Sequence, residues 1–382
     1  MFEFRTHART IAGAGSSDRL AAVITTQWGA SRILVLTDRP LRALGLPGKF
    51  ATTLREGGHD VEIFSDVIAD PPEATIDLAL QAARSHCAQL IVGFGGGSSM
   101  DVAKLVAALA EGSTDIRDVY GMDKISWPRL PLIQVPTTAG TGSEATPIAI
   151  VTRSATVKAG IVSPALYADI AVLDPLLTLG LPSKVTAATG VDAMVHAIEA
   201  YTSRIHKNPV SDSLAREALR LLYHSLERVC REGQDISARQ NMLIGAMMAG
   251  QAFANAPVGG IHALAYPLGG IFHVPHGLSN ALMLKPVLRF NLSHAATQYA
   301  ELAEVILPSI SDSPLERAHA FVDTISRLAE AVGLETRLAQ VGVTTDDLAT
   351  LAEQAMLQQR LLVNNPRGIS YKDAYSLYEE AL

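Results

Sequence analysis

Cysteine is nearly absent. Only Cys87 and Cys230 occur in 382 residues, far apart in the chain. That excludes a disulfide framework and a cysteine-rich zinc module, and points to a reduced compartment. Basic runs are missing as well. Lys and Arg total 31 against 38 Asp and Glu, a formal net charge of −7, which argues against a nucleic-acid partner or an anionic membrane surface. No apolar run approaches the about 18 residues of a membrane-spanning helix. The opening Met1-Phe2-Glu3-Phe4-Arg5 lacks the continuous apolar stretch of a signal peptide. The expectation is a soluble cytoplasmic protein. No internal repeat or low-complexity segment interrupts the chain. What is abundant is core: 48% of residues are apolar and 18% charged, the balance of a globular protein. At roughly 100–200 residues per domain, the length suggests two domains.

The two halves differ in pattern. In the first, short apolar runs at Ile33–Leu36, Val61–Phe64, Leu90–Phe94 and Leu132–Val135 alternate with helical stretches at 74–86 and 101–111. That alternation predicts βαβ units and a mostly parallel, Rossmann-like sheet covered on both faces. From Ser183 onward the period is helical, with helices expected at 212–229, 236–255 and 313–332. In the last, Ser313 is the expected N-cap and Pro314 the first helical residue. Gly180 and Pro182 punctuate the boundary. The expected architecture is an α/β domain over 1–182 and an all-α domain over 183–382.

Four features carry chemistry. Gly93-Phe94-Gly95-Gly96-Gly97-Ser98-Ser99-Met100-Asp101 follows a predicted strand and opens a predicted helix. Glycines there admit a phosphate to the backbone and to the helix N-terminus. No Lys stands in the P-loop position, and the run only approximates G-x-G-x-x-G. A capping box, Ser98 with Asp101, is the plainer explanation, and both can hold. The hydroxyl-rich run Pro136-Thr137-Thr138-Ala139-Gly140-Thr141-Gly142-Ser143-Glu144 also follows a strand, where open α/β sheets bind ligands; an ordinary polar loop looks the same. Asp38 ends an early strand. A carboxylate there can hold an adenosine ribose and repel a 2′-phosphate, or it can merely start a turn before Pro40. Lastly, Asp192 and His196 are four apart in a predicted helix and share one face. His262 and His276 lie downstream, flanking a segment broken by Gly and Pro. One carboxylate and three imidazoles suit a divalent metal such as Fe or Zn, although spacing alone does not bring the pairs together.

At these residues the sequence resembles the iron-containing (group III) alcohol dehydrogenase family, over nearly its whole length. The shared runs include Gly95-Gly96-Gly97-Ser98 with Asp101 and Lys104, Pro136 through Glu144, Ala188 through Ala193 with His196 and Glu199, His262 through Gly277, and Asn364-Asn365-Pro366-Arg367. The resemblance implies a dehydroquinate synthase-like two-domain fold with NAD(P) and metal in the cleft between the domains. It implies Asp192, His196, His262 and His276 as ligands of Fe2+ or Zn2+, with the first domain dinucleotide-binding and the second metal-binding. It carries cofactor contacts onto Asp38, Gly96, Gly97, Ser98, Thr137, Thr138, Thr141 and Lys158. The implied reaction is NAD-dependent hydride transfer with a small alcohol or aldehyde, and a homodimer or larger homo-oligomer is the family expectation. Two departures stand out. Tyr266 replaces the histidine many members carry four residues after the third ligand, and Asp70-Pro71 replaces Asn-Pro. A proton route through His273 or Tyr266, beside His276, is then the expectation. Maleylacetate reductases are similar but typically lack the Ala139–Glu144 run. Dehydroquinate-synthase-like cyclases need basic residues for a phosphorylated substrate, and the segment around His262 has no Lys/Arg cluster.

Overall fold

The computed structural model describes residues 1–153, 158–308 and 313–382. It forms two compact units: Thr6–Thr138 with Gly142–Gly180, and Met1–Arg5 with Ala139–Thr141 and Leu181–Leu382.

The first unit holds strands β1 (Arg9–Ala12), β2 (Arg32–Asp38), β3 (Asp60–Val67), β4 (Leu90–Gly95), β5 (Gly121–Met122), β6 (Leu132–Pro136), β7 (Ile148–Thr152), β8 (Lys158–Val162) and β9 (Ile170–Leu173). Helices α1 (Leu20–Trp28), α2 (Arg39–Ala43), α3 (Leu46–Glu56), α4 (Glu73–Ser85) and α5 (Gly97–Leu109) lie between them. Six strands form one parallel sheet in the order β1-β9-β6-β4-β2-β3. A smaller sheet, β5-β8-β7, contains the antiparallel β7–β8 pair. The apolar runs explain the layering, because side chains alternate faces along a strand. Leu34 and Leu36 join Ile76, Leu80, Val102 and Val106 in one core layer. Ile33 and Val35 join Leu20, Ile24, Phe50 and Leu54 in another. A strand apolar at every position is what a sheet covered on both faces requires.

Two sequence expectations are corrected here. Helix α5 begins at Gly97 rather than Asp101, and its N-cap is Gly96, with no side-chain cap. Ser98 and Asp101 therefore do not form a capping box. Asp101 instead ties α5 to the polar loop and β7, accepting from Ser143 Oγ at 2.6 Å and from Ile150 N at 3.0 Å. The fully buried Lys104 joins it, donating to Ser143 Oγ, Thr146 Oγ1 and the Ile148 carbonyl at 2.7, 3.1 and 2.6 Å. A buried cation needs such partners, and here a carboxylate and three oxygens supply them.

The second unit is helical: α6 (Ser183–Thr202), α7 (Pro209–Arg231), α8 (Ile236–Asn255), α9 (Gly260–Phe272), α10 (His276–Ile306), α11 (Pro314–Ala331), α12 (Leu348–Met356), α13 (Gln359–Leu362) and α14 (Tyr371–Ala381). Ser313 caps α11 in a capping box with Glu316, and Pro314 is its first residue. Helix α6 is buried continuously from Gly190 to Thr202 and packs against α7, α8 and α10. A helix buried on every side is a central one. Arg5 and Asn255 exchange hydrogen bonds of 2.8 Å, which places the first residues with this unit. The segment after His262 also differs from the expectation. It is not broken throughout: α9 runs through Pro267 and both glycines that follow, and the chain turns only at His273, in left-handed conformation with φ 54°. Burial of Gly260 to Ala265, with Pro267 and Leu268, holds a helix that local propensity disfavours. Among the described residues no helix is long and apolar enough to cross a membrane.

Candidate metal centre

Three helices deliver the expected ligand residues. Asp192 and His196 stand one turn apart on α6, His262 lies in the first turn of α9, and His276 opens α10. One donor atom from each of the four lies within 4.8 Å of all the others. Asp192 Oδ1 is the hub, 4.0 Å from His196 Nε2, 3.9 Å from His262 Nε2 and 3.6 Å from His276 Nε2. The approach of α10 to α6 depends on Gly277, where a Cβ would lie 2.3 Å from the Ala188 carbonyl oxygen. His196 is stacked between Phe253 and His262, with ring centroids 4.4 and 4.7 Å away.

Electrostatics suit a cation. Burial would raise the Asp192 carboxyl, but the three imidazoles and the Asn280 amide outweigh it and hold the group below the usual carboxylate range. Burial pushes the His196 imidazole down to about 3, against the pull of Asp192 and with help from the other two rings. A carboxylate beside neutral imidazoles is the donor set that divalent Fe or Zn takes. Asn280 sharpens the fit. It is fully buried and donates from Nδ2 to Asp192 Oδ1 at 2.6 Å, with His262 Nε2 at 3.2 Å and His276 Nε2 at 3.4 Å. Its Oδ1 has no partner. The lone pairs of the cluster thus converge on the nearest positive group available, an amide NH2.

Access is uneven. The side chains of Asp192, His196 and His262 are 2%, 6% and 3% exposed, whereas that of His276 is 35% exposed. His276 is therefore the one of the four candidate ligands most open to solvent or a small molecule. Tyr266 has its ring centroid 6.0 Å from that of His276. His273 is exposed at the end of α9.

From the sequence alone, Glu199 carries no role. It is buried on α6, and its two oxygens lie 2.6 Å from Ile261 N and 2.6 Å from His262 Nδ1. A carboxylate among alanines on a buried helix face is itself a signal, since such a charge needs a partner.

Within the sheet unit, most of the expected cofactor residues gather at the C-terminal ends of neighbouring strands. Gly96, Gly97 and Ser98 follow β4, and Thr137 and Thr138 follow β6. Thr137 N donates to the Gly95 carbonyl at 3.0 Å, and Thr138 Oγ1 would lie 3.5 Å from a Cβ on Gly96. Asp38 ends the adjacent β2, where its carboxylate caps α2 by accepting from Leu41 N at 2.8 Å. Arg39 is held away in an ion pair with Asp66 at 2.7 Å. Lys158 starts β8 and contacts Asp70 at 2.6 Å; its neighbour Val157 lies outside the described residues. Asp70 adopts φ 51°, and its N–H donates to Ser98 Oγ at 3.3 Å. Thr141 groups with the helical unit, beside Gly140, whose absent side chain would lie 2.7 Å from Thr189 Cβ.

The family models agree on both parts of the chain. Residues 7–175 match the model described as iron-containing alcohol dehydrogenase, and residues 186–382 match that of the Fe-containing alcohol dehydrogenase family, C-terminal. Long-chain-alcohol dehydrogenase 1 of Geobacillus thermodenitrificans is 39% identical over 373 residues, covering 97% of this chain and 94% of that protein. A solved 1,3-propanediol oxidoreductase superposes with a TM-score of 0.96 at 34% identity, covering all of both chains. Sulfoacetaldehyde reductase from Bifidobacterium kashiwanohense, solved in complex with NAD+, superposes with a TM-score of 0.90 at 28% identity, covering 100% of this chain and 98% of that one. With the architecture, both family models and a relative of this similarity in accord, the chain belongs to the iron-containing alcohol dehydrogenase family.

Proposed function

We propose that this oxidoreductase transfers hydride between NAD(H) and a small alcohol or aldehyde, with Asp192, His196, His262 and His276 holding a divalent ion, Fe2+ or Zn2+. The observation that carries the reading is the convergence of those four donor atoms within 4.8 Å. When bound, the ion supplies Lewis acidity toward a substrate oxygen and the nicotinamide supplies the hydride.

The chain's own residues do the rest. Asp192 supplies the negative charge that balances a cation, and the buried rings of His196 and His262 keep water from the inner side. His276, the most accessible of the four, would meet a substrate oxygen first. The Tyr266 ring lies 6.0 Å from the His276 ring, centroid to centroid, so either the Tyr266 hydroxyl or the exposed His273 would pass a proton onward to solvent. Gly96, Gly97 and Ser98 offer the uncapped first turn of α5 to the cofactor phosphates. Thr137, Thr138 and Thr141 would supply hydroxyls to the same cofactor, and Lys158 would hold its ribose. Asp38, whose neighbour Arg39 is already paired with Asp66, disfavours a 2′-phosphate and so favours NAD over NADP. The NAD+ complex of the sulfoacetaldehyde reductase relative supports that choice.

The test is direct. Chelated protein is reloaded with Fe(II) or Zn(II) and assayed by NADH and NADPH oxidation against a panel of small aldehydes. Metal-dependent turnover that favours NADH is expected. Undiminished turnover in the chelated protein overturns the reading.

A further inference from the structure

Helix α9 begins without a cap of its own. Its N-cap is Gly259, which offers no side chain, yet the first N–H groups of a helix have no intrahelical acceptor. Two buried residues from distant parts of the unit supply acceptors. Gly260 N donates to Asn365 Oδ1 at 3.2 Å, and Ile261 N donates to Glu199 Oε1 at 2.6 Å. Asn365 is itself fixed by a reciprocal amide pair with Asn291, at 2.7 and 3.0 Å. Its close approach exploits Gly260, where a Cβ would lie 2.7 Å from Asn365 Oδ1.

The residue next in line is His262. Its Nδ1 lies 2.6 Å from the other oxygen of Glu199. A carboxylate only accepts, so the ring proton sits on Nδ1. The opposite side of the ring agrees: Nε2 lies 3.2 Å from the Asn280 amide nitrogen, a donor.

We propose that Glu199 and Asn365 are positioning residues for His262. They form a borrowed N-cap that fixes the first turn of α9, and Glu199 locks the imidazole as its Nδ1–H tautomer with the Nε2 lone pair facing Asp192. The proposal rests on the metal reading of the cluster. Orienting partners of this kind are worth about 10- to 100-fold in metal affinity. It makes the C-terminal Asn365 part of the centre's support, although this residue does not belong to the ligand set.

Glu199→Gln is the sharpest variant, because it keeps the size of the side chain and one acceptor. Glutamine cannot accept from both Ile261 N and an Nδ1–H, so its NH2 faces one of them. Co(II) and Zn(II) affinities are measured by competition with a chelator, alongside the melting temperature of the metal-free protein and its NADH affinity. The expected result is an affinity loss of about 10- to 100-fold and an altered Co(II) visible spectrum, with NADH binding kept. Glu199→Asp, which keeps two acceptors, should recover part of the loss. Asn365→Ala should weaken metal binding less than Glu199→Gln, since it loosens the turn but leaves the tautomer. A merely structural role would instead lower metal affinity in step with the melting temperature.

A second readout needs no variant: 15N spectra of histidine-labelled, metal-free parent protein. An Nδ1–H ring at His262 is expected, and an Nε2–H ring overturns the proposal. Parent-like metal affinity in Glu199→Gln overturns it too. A parent that binds neither Co(II) nor Zn(II) would defeat the metal reading instead, and the 15N spectra would still decide the tautomer.

Discussion

Asp192 Oδ1 lies 3.6 Å from His276 Nε2, although the two residues come from different helices. The contact joins the most exposed ligand candidate to the most buried one. Each of Asp192→Ala, His196→Ala, His262→Ala and His276→Ala should therefore lower metal content and turnover together. The losses should exceed the about 10- to 100-fold typical of outer-shell changes. His206→Ala and His224→Ala, both on exposed positions of the helical unit, should leave metal content at the parent level. Metal analysis alongside steady-state kinetics checks this, and a His262→Ala protein with full metal and full activity would end the metal-centred reading.

Asp38 caps α2 in addition to the cofactor role proposed for it, so the choice of substitution matters. Removing the side chain would also remove the α2 cap made to Leu41 N, at a cost of about 1 kcal/mol. Asp38→Asn keeps an acceptor there and removes only the charge. A unit charge about 4 Å away is worth about 1 kcal/mol in water, so the ratio of kcat/KM for NADPH to that for NADH should rise about five-fold or more. Parent protein that already uses NADPH as well as NADH would refute the role given to Asp38.

The fold was legible where the apolar pattern was continuous. The cores of β2, β3, β4 and β6 are long enough to stand out. Strand β1 was not visible because it is an edge strand whose four residues are mostly exposed, leaving no apolar run. Strand β9 is fully buried but only four residues long, too short for periodicity to distinguish it from a helical turn. Helix α9 was hidden by Pro267, Gly269 and Gly270, local breakers that tertiary burial overrides. In the site, the i, i+4 spacing of Asp192 and His196 was readable because both lie on one helix. The arrival of His262 and His276 was not, since it is set by how α9 and α10 pack on α6. Asn280 was missed for the same reason: one helical turn after His276, it reads as an ordinary polar residue until the turn is seen to face the cluster.

A substitution at Gly96 tests the proposed cofactor site separately from the proposed metal site. The Gly96 backbone is ordinary extended chain, and an added Cβ would meet nothing closer than Thr138 Oγ1 at 3.5 Å. Gly96→Ala should fold normally, at a cost below about 1 kcal/mol. The methyl group would stand at the mouth of the α5 N-terminus, where the phosphates are proposed to approach the backbone. NADH affinity should fall while metal content stays that of the parent. Unchanged NADH affinity by fluorescence titration would remove the glycine loop from the cofactor site.

Glu144 gives the protein a stability term that weakens as pH rises. Burial pushes its carboxyl up to about 7 from an ordinary 4.5, only partly opposed by a backbone hydrogen bond and by Lys104. The folded chain thus holds the proton more tightly than the unfolded chain does. By linkage, the contribution is fully present below about pH 4.5 and is lost as pH climbs to about 7, where the buried group must ionise. Glu144→Gln has no such proton to lose. Its stability relative to the parent should increase across pH 4.5–7 and then level off, by a total on the order of 1–3 kcal/mol. Urea midpoints of metal-free parent and variant at pH 5, 6, 7 and 8 measure the difference, and comparing the pair cancels the histidines that titrate in the same window. A constant difference across all four values would show that Glu144 is ionised throughout and stabilised by Lys104 rather than strained by burial.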